Sequence, residues 1–210
     1  MLDARSEAEV VVDVAFPLQG KTLPLDHGYA LFAALSRVIP LLHAAPSWGI
    51  HPVRGHRSGP GVLEMEASSF LKFRMPANRI ADVLSLPGKM LTIDGHRVTP
   101  GIPRVFPLEP RAALKARFVT VKNAVGEPAQ VEKVLRMQLA AIPNLGEDPE
   151  RISIVVGARR VMRIAGKDVI GFAASLDGLE TQASLAVQTH GIGGRRHMGA
   201  GIFVPYGRTA

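Results

Sequence analysis

The sequence predicts an α+β protein made of two tandem ferredoxin-like (RRM-like) β-α-β-β-α-β units. Short β-branched runs alternate with helix-period segments, the same order of elements occurs twice, and a proline-rich stretch separates the two occurrences. With 210 residues, 47% hydrophobic and 20% charged, the chain has material for packed cores and lies far from the disordered regime.

The first unit opens with Glu9–Leu18 (EVVVDVAFPL), an apolar β-branched run closed by Pro17 and Gly20, which reads as a strand. Asp26 is placed to cap the next helix. Leu31, Leu35, Val38, Ile39 and Leu42 recur there at helical spacing, and Pro40 ends or kinks it. Val62–Ala67 and Ser69–Met75 read as extended, with Gly and Pro punctuation between Gly55 and Gly61 and a hairpin expected in this region. Ala77–Leu84 reads as a short helix, Lys89–Ile93 as a closing strand and Asp94-Gly95 as a tight turn. Residues 1–102 make this first domain, and Pro103, Pro107 and Pro110 mark 103–110 as a linker.

Residues 111–210 repeat the order. Arg117–Lys122 is strand-like, and Pro128–Ala141 is amphipathic through Val131, Val134, Leu135 and Leu139. Arg151–Gly157 and Arg160–Ile164 alternate, and Lys167–Ala174 extends. Leu179–Thr189 reads as a short helix and Gly201–Pro205 as the last strand.

Charge narrows the function classes. Lys and Arg number 25 against 18 Asp and Glu, a net +7 with seven histidines uncounted. From Arg151 onward there are eight basic residues against three carboxylates, Asp168, Asp177 and Glu180, so the C-terminal half is the expected holder of an anionic partner. Cysteine is absent, which removes disulfides, thiolate metal sites and cysteine nucleophiles and suits a reducing cytoplasm, the expected location. The opening MLDARSEAE mixes charges of both signs, and no segment has bilayer-spanning length, so neither a secretory signal nor a membrane partner is expected. No H-E-x-x-H, paired-histidine spacing or carboxylate cluster occurs, Glu64 and Glu66 sharing one side of a strand, so no metal or other cofactor is expected. A G-x-S-x-G elbow is absent too, and no nucleotide-binding glycine motif lies between a strand and a helix.

The most specific feature is the run from Gly191 to Gly201, which carries glycine at 191, 193, 194, 199 and 201 together with Arg195, Arg196 and His197. So many glycines cost chain entropy unless the backbone takes positive φ or approaches something closely. Here their amides can converge on an anion while the arginines contact phosphate oxygens and His197 stacks or hydrogen-bonds. The pattern G-x-G, five residues, G-x-G and an apolar strand resembles the C-terminal signature of the CRISPR repeat-processing endoribonucleases, members of the repeat-associated mysterious protein (RAMP) superfamily. Val12–Leu18, Leu23–Tyr29, Pro40–His43 and the GGRRHMGAGIFVP ending look like the subfamily of myxobacterial-type systems.

The resemblance implies attack of an RNA 2′-oxygen on the adjacent phosphate without metal, leaving 2′,3′-cyclic phosphate and 5′-hydroxyl ends. CRISPR repeat RNA, as precursor and as mature guide, is then the partner, and other subunits of a CRISPR effector complex are further partners. Such chemistry needs a base, an acid and cations on the phosphate, and histidine suits the first two roles. His43, just after the first helix where family members often carry a catalytic histidine, is the first candidate. His27, at a helix N-terminus that favours the neutral imidazole, is the second, against a packing or capping role. Tyr29 would orient a base or touch phosphate, or else pack in the core. Where some members have a helical tyrosine and a post-helical lysine, this chain offers Ser36 and His51, so the second catalytic role falls to His51, Arg54 or a loop arginine. Lys72 and Arg74 alternate with apolar residues on one strand, and Arg159, Arg160 and Arg163 form another basic set; both suit an RNA stem or a solvated sheet edge. Trp48 would stack on a base or pack. Two other readings stand beside the enzyme: a noncatalytic RNA-binding subunit, and a ferredoxin-like enzyme or sensor for a small phosphorylated metabolite.

Overall fold

The computed structural model describes residues 9–45, 47–121 and 128–207. Lys122, the last residue of one expected strand, lies outside them. β1 (Val11–Gln19) is the spine of the first sheet. Val12, Val14 and Phe16 enter the core, while Asp13 and Ala15 are buried on the other face. Cover on both faces is why the run reads as nearly continuous apolar sequence. β2 (Thr22–Pro24) leads into α1 (Gly28–Val38), which buries Leu31, Ala34 and Leu35 and stops before Pro40. Asp26 is not the cap: His27 holds that place, and Asp26 accepts a hydrogen bond from the Arg163 amide at 2.7 Å. A 3-10 turn, Pro40–Ala44, follows.

β3 (Gly49–Ile50), β4 (His56–Gly59), β5 (Val62–Glu64) and β6 (Phe70–Pro76) come next. β4 and β5 form an antiparallel hairpin within the expected region, turning at Gly59–Gly61, and with β2 make a small separate sheet, whereas β6 crosses to β1. The expected helix at Ala77–Leu84 is a 3-10 stretch, Ala77–Val83, that buries only Val83, too few residues and too little apolar face to support α-helix nucleation. β7 (Leu91–Ile93) and β8 (His96–Pro100) meet across Asp94-Gly95, both at positive φ. The stretch expected as a linker contains β9 (Arg104–Pro107), which pairs with β1 from Val12 to Ala15. Its prolines are compatible with an edge strand, where a missing N–H costs no ladder bond. The first sheet runs β3-β6-β1-β8-β7, with β9 beside β1.

The second half runs β10 (Leu114–Thr120), α2 (Pro128–Ala140), β11 (Ser153–Ile164), β12 (Lys167–Asp177), α3 (Thr181–His190) and β13 (Val204–Pro205), with sheet order β11-β12-β10-β13. Two segments read separately in the sequence are the single strand β11, interrupted by a register shift between Val156 and Arg159. β10 shifts against β12 at the same level, between Ala116 and Val119. Paired bulges bend this sheet and re-aim the side chains beyond them. α2 buries Val131, Leu135 and Leu139 in the second core, which also holds Phe172, Val187 and Phe203. No helix among the described residues is long and apolar enough to cross a membrane.

Candidate functional site

The two halves meet on a buried ion network. Asp13 of β1 and Arg74 of β6 pair in two-pronged fashion, Nε to Oδ1 at 2.8 Å and Nη2 to Oδ2 at 3.0 Å. The remaining prong of Arg74, Nη1, donates to the carbonyls of Gln188 (3.1 Å) and Phe203 (2.6 Å) in the second half. Arg74 is 1% exposed. It alternates with Phe73 and Met75 as the sequence suggests, yet its face meets the other half rather than RNA or solvent. Placing a guanidinium there requires every donor to be met, and the planar fork of arginine does so. Lys72, one step along the same face, remains partly open 3.7 Å from Asp13.

His51 belongs to this network as well. Its Nε2 donates to Asp13 Oδ1 at 3.2 Å, and burial pushes its pKa down to about 4 against the opposing pull of Asp13. Burial would raise the Asp13 carboxyl, but hydrogen bonds from His51 and Arg74 hold it well below the usual carboxylate range. His51 is therefore a neutral donor on the groove floor.

His27 is 2% exposed and both ring nitrogens are committed: Nδ1 donates to the Pro24 carbonyl at 2.9 Å and Nε2 accepts from the Val53 amide at 2.9 Å. Desolvation lowers its pKa. It pins two backbone segments together and has no lone pair for a substrate proton, so the reading of His27 as a base does not survive. Trp48, 2% exposed, is a core residue.

His43 stands exposed on the 3-10 turn after α1. Its ring meets the Phe32 ring edge-on at 5.3 Å, and Phe32 also stacks with His197 of the glycine loop at 5.3 Å and 21°. His197 Nε2 donates to the Ala45 carbonyl at 2.6 Å. The loop thus lands on the helix and turn that carry His43.

Inside the loop, most of the expected anion-facing amides are occupied. Gly191 donates to Val187, Ile192 to Gly201, Gly201 to Phe118 and Gly199 to Arg196, while the Gly194 amide reaches Thr120 Oγ1 at 3.1 Å. The glycines serve close packing of the loop on itself. Gly193 sits over Thr120, and Gly199 over Pro52. The two arginines part: Arg195, at φ +63, is exposed, whereas Arg196 is buried and donates through Nη1 to the Thr189 and His190 carbonyls at the end of α3. That is a helix C-terminal cap, favourable to a cation. Burial lowers the Arg196 pKa to about 10, helped by repulsion from Arg74.

A cleft of about 740 Å³ opens between α1 and the β11–β12 hairpin, lined by Tyr29, Arg37, Arg117, Arg160 and Arg163 among others. It shares Pro52, Arg117, Arg160 and Gly199 with a groove of about 1410 Å³ between the halves, where Arg54, Arg57, Lys72 and Lys115 add positive charge. Burial and the nearby Arg160 lower the pKa of Arg117. Like charges held together this way create a field that an incoming polyanion relieves. Tyr29 lies one turn from Phe32 and lines the cleft. Arg163 sits on its rim, ion-paired to Asp168 at 3.2 Å, and Arg159 alternates away from Arg160 and lines neither cavity. Arg57, Lys115 and Arg117 were not singled out from sequence; the i, i+2 spacing of Lys115 and Arg117 on a strand was the available signal. Among the described residues no three His, Asp or Glu side chains gather as a metal-holding group.

These features define an α+β protein of two sheet-bearing halves that share a basic groove and present an exposed histidine beside a glycine-rich loop. The Cas6 CRISPR family model matches residues 12–208. A CRISPR-associated endonuclease Cas6 of Myxococcus xanthus (strain DK1622) is 43% identical over 201 residues, covering 96% of this chain and 84% of its own length. Among solved structures, a CRISPR-associated protein Cas6 superposes with a TM-score of 0.63 at 12% identity, covering 94% of this chain and 100% of that one. A Cas6-related protein from Pyrococcus furiosus gives 0.61 at 13% identity, covering 93% and 98%. This chain belongs to the Cas6 family of CRISPR proteins.

Proposed function

We propose that the protein is a metal-independent endoribonuclease that cuts CRISPR precursor RNA within its repeats, in the cytoplasm, and yields mature guide RNA. The observation that carries the reading is the cluster of His43, Phe32 and His197, which joins an exposed imidazole of the first half to the glycine loop of the second. Family membership and the name of the Myxococcus relative, an endonuclease, support the same reaction class. We read the two halves as two ferredoxin-like units, the first with a 3-10 stretch in place of its second helix and with β9 and the small β2-β5-β4 sheet added.

His43 takes the proton from a ribose 2′-hydroxyl, and the 2′-oxygen attacks the adjacent phosphorus. The bond to the 5′-oxygen breaks, which leaves a 2′,3′-cyclic phosphate on one product and, after proton transfer, a 5′-hydroxyl on the other. We assign the charge developing on the phosphoryl oxygens to Arg195, the outward guanidinium of the loop. Arg117 and Arg160, at the junction of cleft and groove, hold the flanking RNA backbone through its phosphates.

Repeat RNA incubated with the protein and excess chelator should be cut once per repeat and end in a cyclic phosphate. His43→Ala should slow cutting by roughly 10²–10⁴-fold with RNA affinity retained. Loss of cutting in chelator overturns the metal-free mechanism. Tight binding without any cutting by the unmodified protein makes it a noncatalytic RNA-binding subunit instead.

A further inference from the structure

We infer that His197 is a positioning residue for His43, tying the loop that meets RNA to the turn that carries the base; the inference rests on the cleavage reading above. The turn Pro40–Ala44 is a short 3-10 segment, a type with poor intrinsic hydrogen-bond geometry. The bonds at its two ends are Leu42 N to Ile39 O at 3.1 Å and a longer one, Ala45 N to Leu42 O at 3.5 Å. Leu42 is buried beneath it, but His43 projects outward. The Ala45 carbonyl at the far end of the turn takes two hydrogen bonds, one from the nearby Trp48 amide at 3.1 Å and one, at 2.6 Å, from a group 152 positions away, the His197 Nε2–H. The same ring lies flat on Phe32, and Phe32 supplies the surface against which His43 rests edge-on.

One imidazole thus contacts both the end of the turn and the Phe32 wall beside the His43 ring. Burial, with the charge of Arg196, lowers the His197 pKa against the pull of the Ala45 carbonyl, to which its Nε2 proton is committed. The loop cannot easily shift without dragging this tie, because Met198 packs its carbonyl onto Gly28 at the start of α1 and Gly199 packs onto Pro52. RNA seated on Arg195 is thereby held in register with His43.

The test compares His197→Ala and His197→Gln in the full chain, since glutamine can place an N–H near the imidazole Nε2 position. In His197→Ala, single-turnover cutting at saturating repeat RNA should fall roughly ten- to a hundredfold, with little change in RNA affinity. His197→Gln should recover most of that loss, and both variants should keep the shape of the unmodified protein's pH–rate profile. Without RNA, hydrogen exchange of the Leu42 and Ala45 amides should speed up about tenfold in His197→Ala. Unchanged exchange overturns the inference. So does a glutamine variant as slow as alanine with a lost limb in its pH profile, which would make His197 a proton-transfer group. Weaker binding with an unchanged saturating rate also overturns it, by making His197 an RNA contact. If the unmodified protein binds repeat RNA and never cuts it, the cleavage reading fails, and the exchange measurement alone decides whether the tie exists.

Discussion

Arg195 and Arg196 are neighbours in sequence and end in opposite surroundings, one in solvent and one capping α3, because the left-handed backbone at Arg195 turns the next side chain inward. The histidines divide in the same way. His27 and His51 are consumed by backbone or carboxylate partners, while His43 is left exposed beside Phe32. Burial of His51 makes stability depend on pH with a definite sign. A histidine whose folded pKa lies near 4 is protonated first in the unfolded chain, at about 6.5. Its contribution is therefore complete above pH 6.5 and is lost as pH falls from there toward 4, on the order of 2–3 kcal/mol by pH 4.5. The lowered His27 pKa acts in the same direction. Asp13, also depressed, loses its share only when acid passes below the unfolded carboxyl value of 3.8. Urea denaturation at pH 7 and pH 4.5 should show this loss, and His51→Gln should reduce it. A midpoint that does not move over this window would mean that His51 is not held neutral by the fold.

At the scale of the element, the glycine loop owes its composition to its own packing. Gly191 and Gly201 both sit at φ +68, where a Cβ on the first would strike the Gly201 carbonyl and one on the second the Ile192 carbonyl. Gly194 has ordinary φ, and a Cβ there would meet nothing closer than Thr120 Oγ1 at 3.9 Å. Gly191→Ala should cost about 2 kcal/mol or more in thermal unfolding, whereas Gly194→Ala should stay within about 0.5 kcal/mol. Equal effects at the two positions would return the loop to the anion-nest reading. The sequence made the loop conspicuous, but glycine spacing reports only that the backbone is special. Whether it turns toward a ligand or onto itself depends on Thr120, Phe118 and Pro52, which come from distant strands and loops.

At the scale of the whole molecule, Arg74, held by Asp13 and reaching the Gln188 and Phe203 carbonyls, joins the loop contacts in bringing the halves together, with Arg54, Arg57 and Lys72 on one side of the groove and Lys115, Arg117 and Arg160 on the other. If RNA phosphates lie along it, Arg117→Gln with Arg160→Gln should flatten the dependence of log affinity on log salt by about 1.4–1.8, while Arg159→Gln leaves that slope unchanged. An unaltered slope in the double variant would take the RNA path elsewhere. Local period and punctuation were enough to place β1, α1, the Asp94-Gly95 turn, α2 and β12, because each depends on residues near it in the chain. The glycine spacing marked the loop, and the resemblance to the repeat-processing family singled out His43. The role of Arg74 as the joint, the strand hidden in the proline-rich stretch, the loss of His27 and His51 to internal partners and the meeting of His43 with His197 were decided by tertiary structure. Each depends on a partner far along the chain, which no local pattern encodes.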